Sequence, residues 1–135
     1  MTLERVLVAD NEPQLRQIVA MLFQDRGATV VEAATGEAAL LALGRAGPFD
    51  VGIIDLLLPP PTGLRVISLL RKRGDRTPFV VITGAADDAV QATVAELGQA
   101  IVVAKPFTEE ALLAAVVQVC AGAAGLRRAA EEAPG

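Results

Sequence analysis

Four polar side chains follow directly on short apolar runs. Asp10 follows Val6-Leu7-Val8-Ala9, Asp55 follows Val51-Gly52-Ile53-Ile54, Thr83 follows Phe79-Val80-Val81-Ile82, and Lys105 follows Ala100-Ile101-Val102-Val103-Ala104. Two carboxylates at adjacent run ends make a hard oxygen site, and Mg²⁺ is typically held by one or two carboxylates with phosphate oxygens and water. A carboxylate can also act as a nucleophile and become an aspartyl phosphate. Phosphoryl transfer is largely positioning and charge neutralisation, for which a divalent ion, a lysine and a hydroxyl suffice. Other chemistries are closed to this chain. It has no histidine, which excludes Ser-His-Asp and Cys-His catalysis and histidine-bound metals. A single cysteine, Cys120, makes neither an internal disulfide nor a thiolate zinc site, and its place in a small-residue helical run suits a buried, inert thiol.

The elements that carry these residues alternate regularly. Helical spacing of Leu15, Ile18, Val19, Leu22 and Phe23 follows the first run, up to Gly27. Thr29–Ala33 is a second strand candidate, and Thr35 caps a helix to about Arg45. Leu56 to Gly63, with Pro59-Pro60-Pro61, is a rigid loop after the third run. A helix from Leu64 ends in Arg71-Lys72-Arg73-Gly74, a basic end read as solvated and complementary to the helix dipole. Asp87 to Leu97 is a helix closed by Gly98, and Thr108-Glu109-Glu110 opens the last one. Beyond Gly122 the composition shifts to Ala, Gly, Arg and Glu, which predicts a domain over 1–122 and a short frayed tail over 123–135.

Five repeats whose strands are continuous apolar runs imply a parallel sheet covered on both faces by helices. The favoured layout is a doubly wound, flavodoxin-like α/β sheet in the order 2-1-3-4-5. That explains an apolar content of 53% in 135 residues, since such strands need no polar face. No stretch approaches the roughly 20 charge-free apolar residues of a membrane span. A Rossmann domain would need G-x-G-x-x-G where Asp10-Asn11-Glu12-Pro13 stands, and there is no Walker sequence. A net charge of −4, with neither Trp nor Tyr, argues against nucleic acid as a partner. In an open parallel sheet, ligands gather outside the carboxyl ends of the strands, where the four polar residues fall.

The ordered set Val8-Ala9-Asp10-Asn11-Glu12-Pro13, Ile54-Asp55-Leu56-Leu57-Leu58-Pro59 with Gly63, Ile82-Thr83-Gly84, and Lys105-Pro106-Phe107 resembles a response-regulator receiver domain over residues 5 to about 121. The resemblance implies Asp55 as phosphoacceptor, charged from a sensor histidine kinase or a histidine phosphotransfer protein. It implies Lys105 pairing with the phosphoryl group and Thr83 as the hydroxyl that swings toward it. Asp10, Asp55, the backbone carbonyl of Leu57 and Asn11 would form the Mg²⁺ site, and a cis peptide before Pro106 would position Lys105. A cytoplasmic signalling protein follows, not an enzyme beyond its own phosphorylation and dephosphorylation. Its output would be phosphoryl relay or binding to a downstream target or second copy, through the fourth helix, fifth strand and fifth helix. The tail is too short for an effector module, so a stand-alone receiver is expected.

Two positions depart from the family pattern. Asn11 stands where the second acid of a pair is usual, so a formal charge is lost from the Mg²⁺ site; Glu12 is a candidate substitute. Val102 stands where an aromatic residue commonly follows the threonine on phosphorylation, and a valine has few rotamers and no latch to offer. These two favour the alternative, a pseudo-receiver that binds partners without phosphorylation. An aspartate-nucleophile phosphatase would need D-x-D after the first strand and a cap, and Asp10-Asn11-Glu12 lacks the former.

Overall fold

In the computed structural model, the described residues run from Thr2 to Glu132 for the backbone and to Gly122 for side chains. Ten elements alternate: β1 (Arg5–Ala9), α1 (Pro13–Gln24), β2 (Thr29–Ala33), α2 (Gly36–Arg45), β3 (Val51–Asp55), α3 (Gly63–Lys72), β4 (Phe79–Thr83), α4 (Asp88–Leu97), β5 (Ala100–Ala104) and α5 (Glu109–Glu132). All strand pairs are parallel, in the favoured order β2-β1-β3-β4-β5.

The period of two along each strand divides the core. Val6, Val8, Val51, Ile53, Val80 and Ile82 face one way, against Val19 and Phe23 of α1 and Leu112 and Val116 of α5. Leu7, Ala9, Ile54, Phe79 and Val81 face the other, against α2, α3 and α4 through Ala39, Val66, Ile67, Leu70 and Val94. β3 and β4 are buried along their whole length, whereas the edge strands β2 and β5 are only partly so. The rim at the carboxyl ends of β1, β3 and β4 is thus built on the most deeply buried strands.

Helix starts follow the chain's own signals. Thr35 Oγ1 accepts from the Ala38 N–H at 3.0 Å, Asp87 Oδ1 from Val90 at 2.9 Å, and Thr108 Oγ1 from Ala111 at 3.0 Å. α1 ends at Gln24, short of Gly27, which takes a positive φ of 89° three residues later. The backbone continues helical to Glu132 where composition predicts a tail; side chains from 123 and residues 133–135 lie outside the described residues. The peptides before Pro48, Pro61 and Pro106 are cis, the last as the resemblance implied.

Two expectations need correction. Arg71 is not part of a solvated basic end: it is partly buried and hydrogen-bonded to backbone carbonyls, while Lys72 and Arg73 are exposed. Cys120 is only partly buried, its Sγ 3.7 Å from the Asp50 carbonyl oxygen.

Candidate functional site

Three of the four run-end residues meet at one point. Asp10 leaves β1 at 1% exposure, and Asp55 closes β3 at 5%. Lys105, just past β5, places its Nζ 2.9 Å from Asp55 Oδ2, 3.5 Å from Asp10 Oδ2 and 3.7 Å from Glu12 Oε1. The two buried carboxylates are further fixed by the chain after them: Asp10 Oδ1 accepts from the Glu12 N–H at 2.8 Å, and Asp55 Oδ1 from the Leu57 N–H at 2.9 Å. Each is an Asx-type turn that aims the carboxylate back over its own strand end.

Charge at this rim is unbalanced. Asp10, Glu12 and Asp55 share a single ammonium, a local sum of −3 and +1. Burial pushes the Asp10 carboxyl above its ordinary pKa; the Glu12 N–H and Lys105 pull against this, and the charges of Asp55 and Glu12 add to it. For Lys105, burial alone lowers the pKa, but the hydrogen bond to Asp55 and the charges of Asp10, Asp55 and Glu12 prevail and raise it.

Thr83 is buried at the end of β4, and its hydroxyl is engaged locally, accepting from the Ala85 N–H at 3.0 Å. Its carbonyl accepts from the Lys105 N–H at 2.8 Å, which ties the lysine's backbone to β4. Asn11 is exposed, and its side chain makes no hydrogen bond among the described residues. The Leu57 side chain is 68% exposed, and its carbonyl oxygen accepts no hydrogen bond from the described residues. Among those residues no three of His, Cys, Asp or Glu are grouped so as to hold a metal ion; the acids at the rim are a pair with Glu12 beyond them.

One positioning residue, Arg16, escapes sequence reading, and the physical role of another, Gly63, emerges only in the fold. Arg16 of α1 donates from Nη1 to the Asp10 carbonyl at 2.9 Å and from Nε to Glu32 of β2 at 3.2 Å, bracing the β1 end. Its only signal is a basic residue six positions after Asp10. Gly63 backs the α3 N-terminus directly onto Asp55, so that a β-carbon there would collide with the Asp55 carbonyl. The Gly63 N–H donates to Leu56 at 3.1 Å, closing the proline-rich loop over the rim.

A five-stranded parallel sheet in this order, with its polar residues at the carboxyl rim, defines a flavodoxin-like α/β domain of the CheY type. The family "Response regulator receiver domain" matches residues 6–117, and the chain belongs to it. It is a receiver domain of two-component systems, a signalling domain. Among curated proteins it is 34% identical over 117 residues to the Regulator of RpoS of Escherichia coli K12, covering 87% of this chain and 34% of that protein. It thus spans about a third of that relative's length. Chemotaxis protein CheY4 of Vibrio cholerae is similar in structure, with a TM-score of 0.77 and 30% identity over 87% of this chain and 98% of that one. The response regulator TrrA of Thermotoga maritima, solved in complex with Mg²⁺ and BeF, gives a TM-score of 0.74 and 26% identity over 86% of this chain and 98% of that one. No helix among the described residues is long and apolar enough to cross a membrane.

Proposed function

We propose that this receiver is phosphorylated on Asp55 by a sensor histidine kinase or a histidine phosphotransfer protein, in the cytoplasm, with Mg²⁺ as cofactor. The observation that carries the reading is the geometry of Asp55. Its carboxylate is nearly buried, yet held at the strand end by one N–H and one ammonium, beside a second buried carboxylate. An Asp55 oxygen attacks the phosphorus of a phosphohistidine, the P–N bond breaks, and the imidazole nitrogen leaves with the electron pair. Lys105 then pairs with a phosphoryl oxygen, and the Thr83 hydroxyl exchanges the Ala85 N–H for the new anion. Hydrolysis of the acyl phosphate by water returns the carboxylate, so the domain catalyses at most its own phosphorylation and dephosphorylation.

The donor set suits a divalent cation. The rim carries two units of excess negative charge, both buried carboxylates present oxygens, and the Leu57 carbonyl is unclaimed by the described residues. Asp10, Asp55 and the Leu57 carbonyl would hold Mg²⁺, with the Asn11 amide oxygen contributing without charge. When bound, the ion supplies neutralisation of the phosphoryl oxygens. Output is by relay, or by binding of a downstream protein or second copy through the α4, β5 and α5 face.

Intact mass spectrometry tests the reading. Incubation with a small-molecule phosphodonor and Mg²⁺ adds one phosphoryl group to the wild type and none to Asp55→Asn. Absence of the adduct in the wild type, even with a cognate kinase, favours the pseudo-receiver, to which the uncharged Asn11 and the rotamer-poor Val102 already lean.

A further inference from the structure

In the last turn of α3 stands a guanidinium whose hydrogen bonds all go to backbone carbonyls. Arg71 Nη1 donates to the Asp75 carbonyl at 2.9 Å, and Nη2 to those of Thr77 and Gly98 at 2.9 Å and Gln99 at 3.3 Å. Its Nε lies 3.2 Å from both the Leu97 and the Gly98 carbonyls. The same group sits 5.8 Å over the Phe79 ring, at the start of β4. One side chain therefore joins the end of α3, the entry to β4 and the exit of α4. Among the described residues it forms no ion pair with a carboxylate; its acceptors are backbone carbonyls at the helix end and in the loop before β4, of which that of Gln99 also takes the Phe79 N–H.

The backbone at that exit needs holding. Gly98 and Gln99 have successive positive φ values of 76° and 51°, the second unfavourable for a side-chain-bearing residue. The other end of α4 is secured far less. Asp87, Asp88 and Ala89 are exposed, and Val94 is the one fully buried side chain of the helix, with Val90 and Leu97 partly buried. Among the described residues, the hydrogen bond that joins the segment leading into that end to the rim runs from the Ala85 N–H to Thr83 Oγ1.

We propose that Arg71 is a positioning residue that pins the C-terminal end of α4, so that α4 pivots there when Thr83 releases Ala85. The phosphorylated rim then moves the N-terminal turn of α4 and leaves its exit in place. This routes the response through the helix rather than through position 102, where a valine stands. The inference rests on the proposed response of Thr83 to phosphorylation of Asp55.

Hydrogen exchange read by mass spectrometry on the whole chain tests it. With Mg²⁺ and beryllium fluoride as phosphoryl mimic, the change in exchange falls within residues 84–92, and residues 96–100 stay as they were. In Arg71→Lys, which keeps the charge but loses the planar fork, amides of 96–100 exchange about tenfold faster before any mimic is added, and the mimic's effect spreads to them. A change at 96–100 in the wild type, or unaltered exchange there in Arg71→Lys, overturns the pivot. Thr83→Ala removes the Ala85 tie without any phosphoryl group. Faster exchange at 85–92 with 96–100 retained supports the pivot even where the mimic fails to bind, and loosening of both ends together overturns it. Failure of the mimic to bind counts against Asp55 as phosphoacceptor, so the two readings fail separately.

Discussion

Lys105 Nζ lies 2.9 Å from Asp55 Oδ2 although the two residues are fifty positions apart, and among the described residues the same ammonium is the cation paired with the Asp10 carboxylate. The lysine therefore does two things at once. It compensates two carboxylates that folding has stripped of water, and it competes with any other cation for them.

Removing the lysine separates those roles. Lys105→Met is expected to destabilise the chain by about 2 kcal/mol without divalent ions, somewhat below the 3–5 kcal/mol of a fully buried pair because Lys105 keeps 21% side-chain exposure. The same variant binds Mg²⁺ several-fold more tightly, as the competitor is gone, and Mg²⁺ restores part of the lost stability. Chemical denaturation with and without Mg²⁺ measures both. Equal stability of variant and wild type in chelator contradicts the compensating role.

Asp10→Asn is expected to stabilise the fold by about 1 kcal/mol, since an amide keeps the Glu12 N–H bond and removes one buried like charge. The sign follows from the raised carboxyl pKa. Below 3.8, the unfolded-state value, folded and unfolded carboxyls are both protonated, and ionisation subtracts nothing. Above it the folded state resists ionising, so the wild type loses stability relative to the variant as pH rises. The melting temperatures of the two proteins converge as pH falls towards 3.8. The variant also binds Mg²⁺ more weakly.

Asn11→Asp is expected to bind Mg²⁺ about tenfold more tightly. A unit charge pair at about 4 Å is worth about 4 kcal/mol at an effective dielectric near 20, and desolvation takes back most of it. Isothermal titration of both proteins with Mg²⁺ reads the difference, and equal affinities would remove Asn11 from the candidate ligands.

Gly63→Ala is expected to cost about 2–3 kcal/mol, because the new β-carbon meets backbone rather than a side chain that can turn aside. Asp55 phosphorylation should slow more than this instability explains, as the β3 end must shift to make room. A variant that melts and phosphorylates like the wild type would show that the loop accommodates the methyl group.

Most of the architecture was legible from local pattern. β2 and β5 fall on the predicted residues, and Thr35 and Thr108 cap where their chemistry suggests, because strand and helix periods are written in apolar spacing. Continuous apolar runs implied a parallel sheet, right-handed crossovers favoured the order that is found, and the carboxyl-end rule gave the rim. Arg71 was misread for an equally physical reason. Composition marks a guanidinium as solvated, and nothing local says that two later turns will bring five carbonyls around it.

The amino-acid sequence by itself determined the elements, the parallel doubly wound sheet and which strand ends carry Asp10, Asp55, Thr83 and Lys105, since these depend on neighbours along the chain. Tertiary structure alone decided which of the four meet. Lys105 joins Asp10 and Asp55, while the Thr83 hydroxyl stays with Ala85, because a side chain's partner depends on the direction its own strand end gives it. It also decided the roles of Arg16, Gly63 and Arg71, whose acceptors or close neighbours are backbone groups placed by packing. Every residue has the same backbone groups, so no residue type in the sequence announces them.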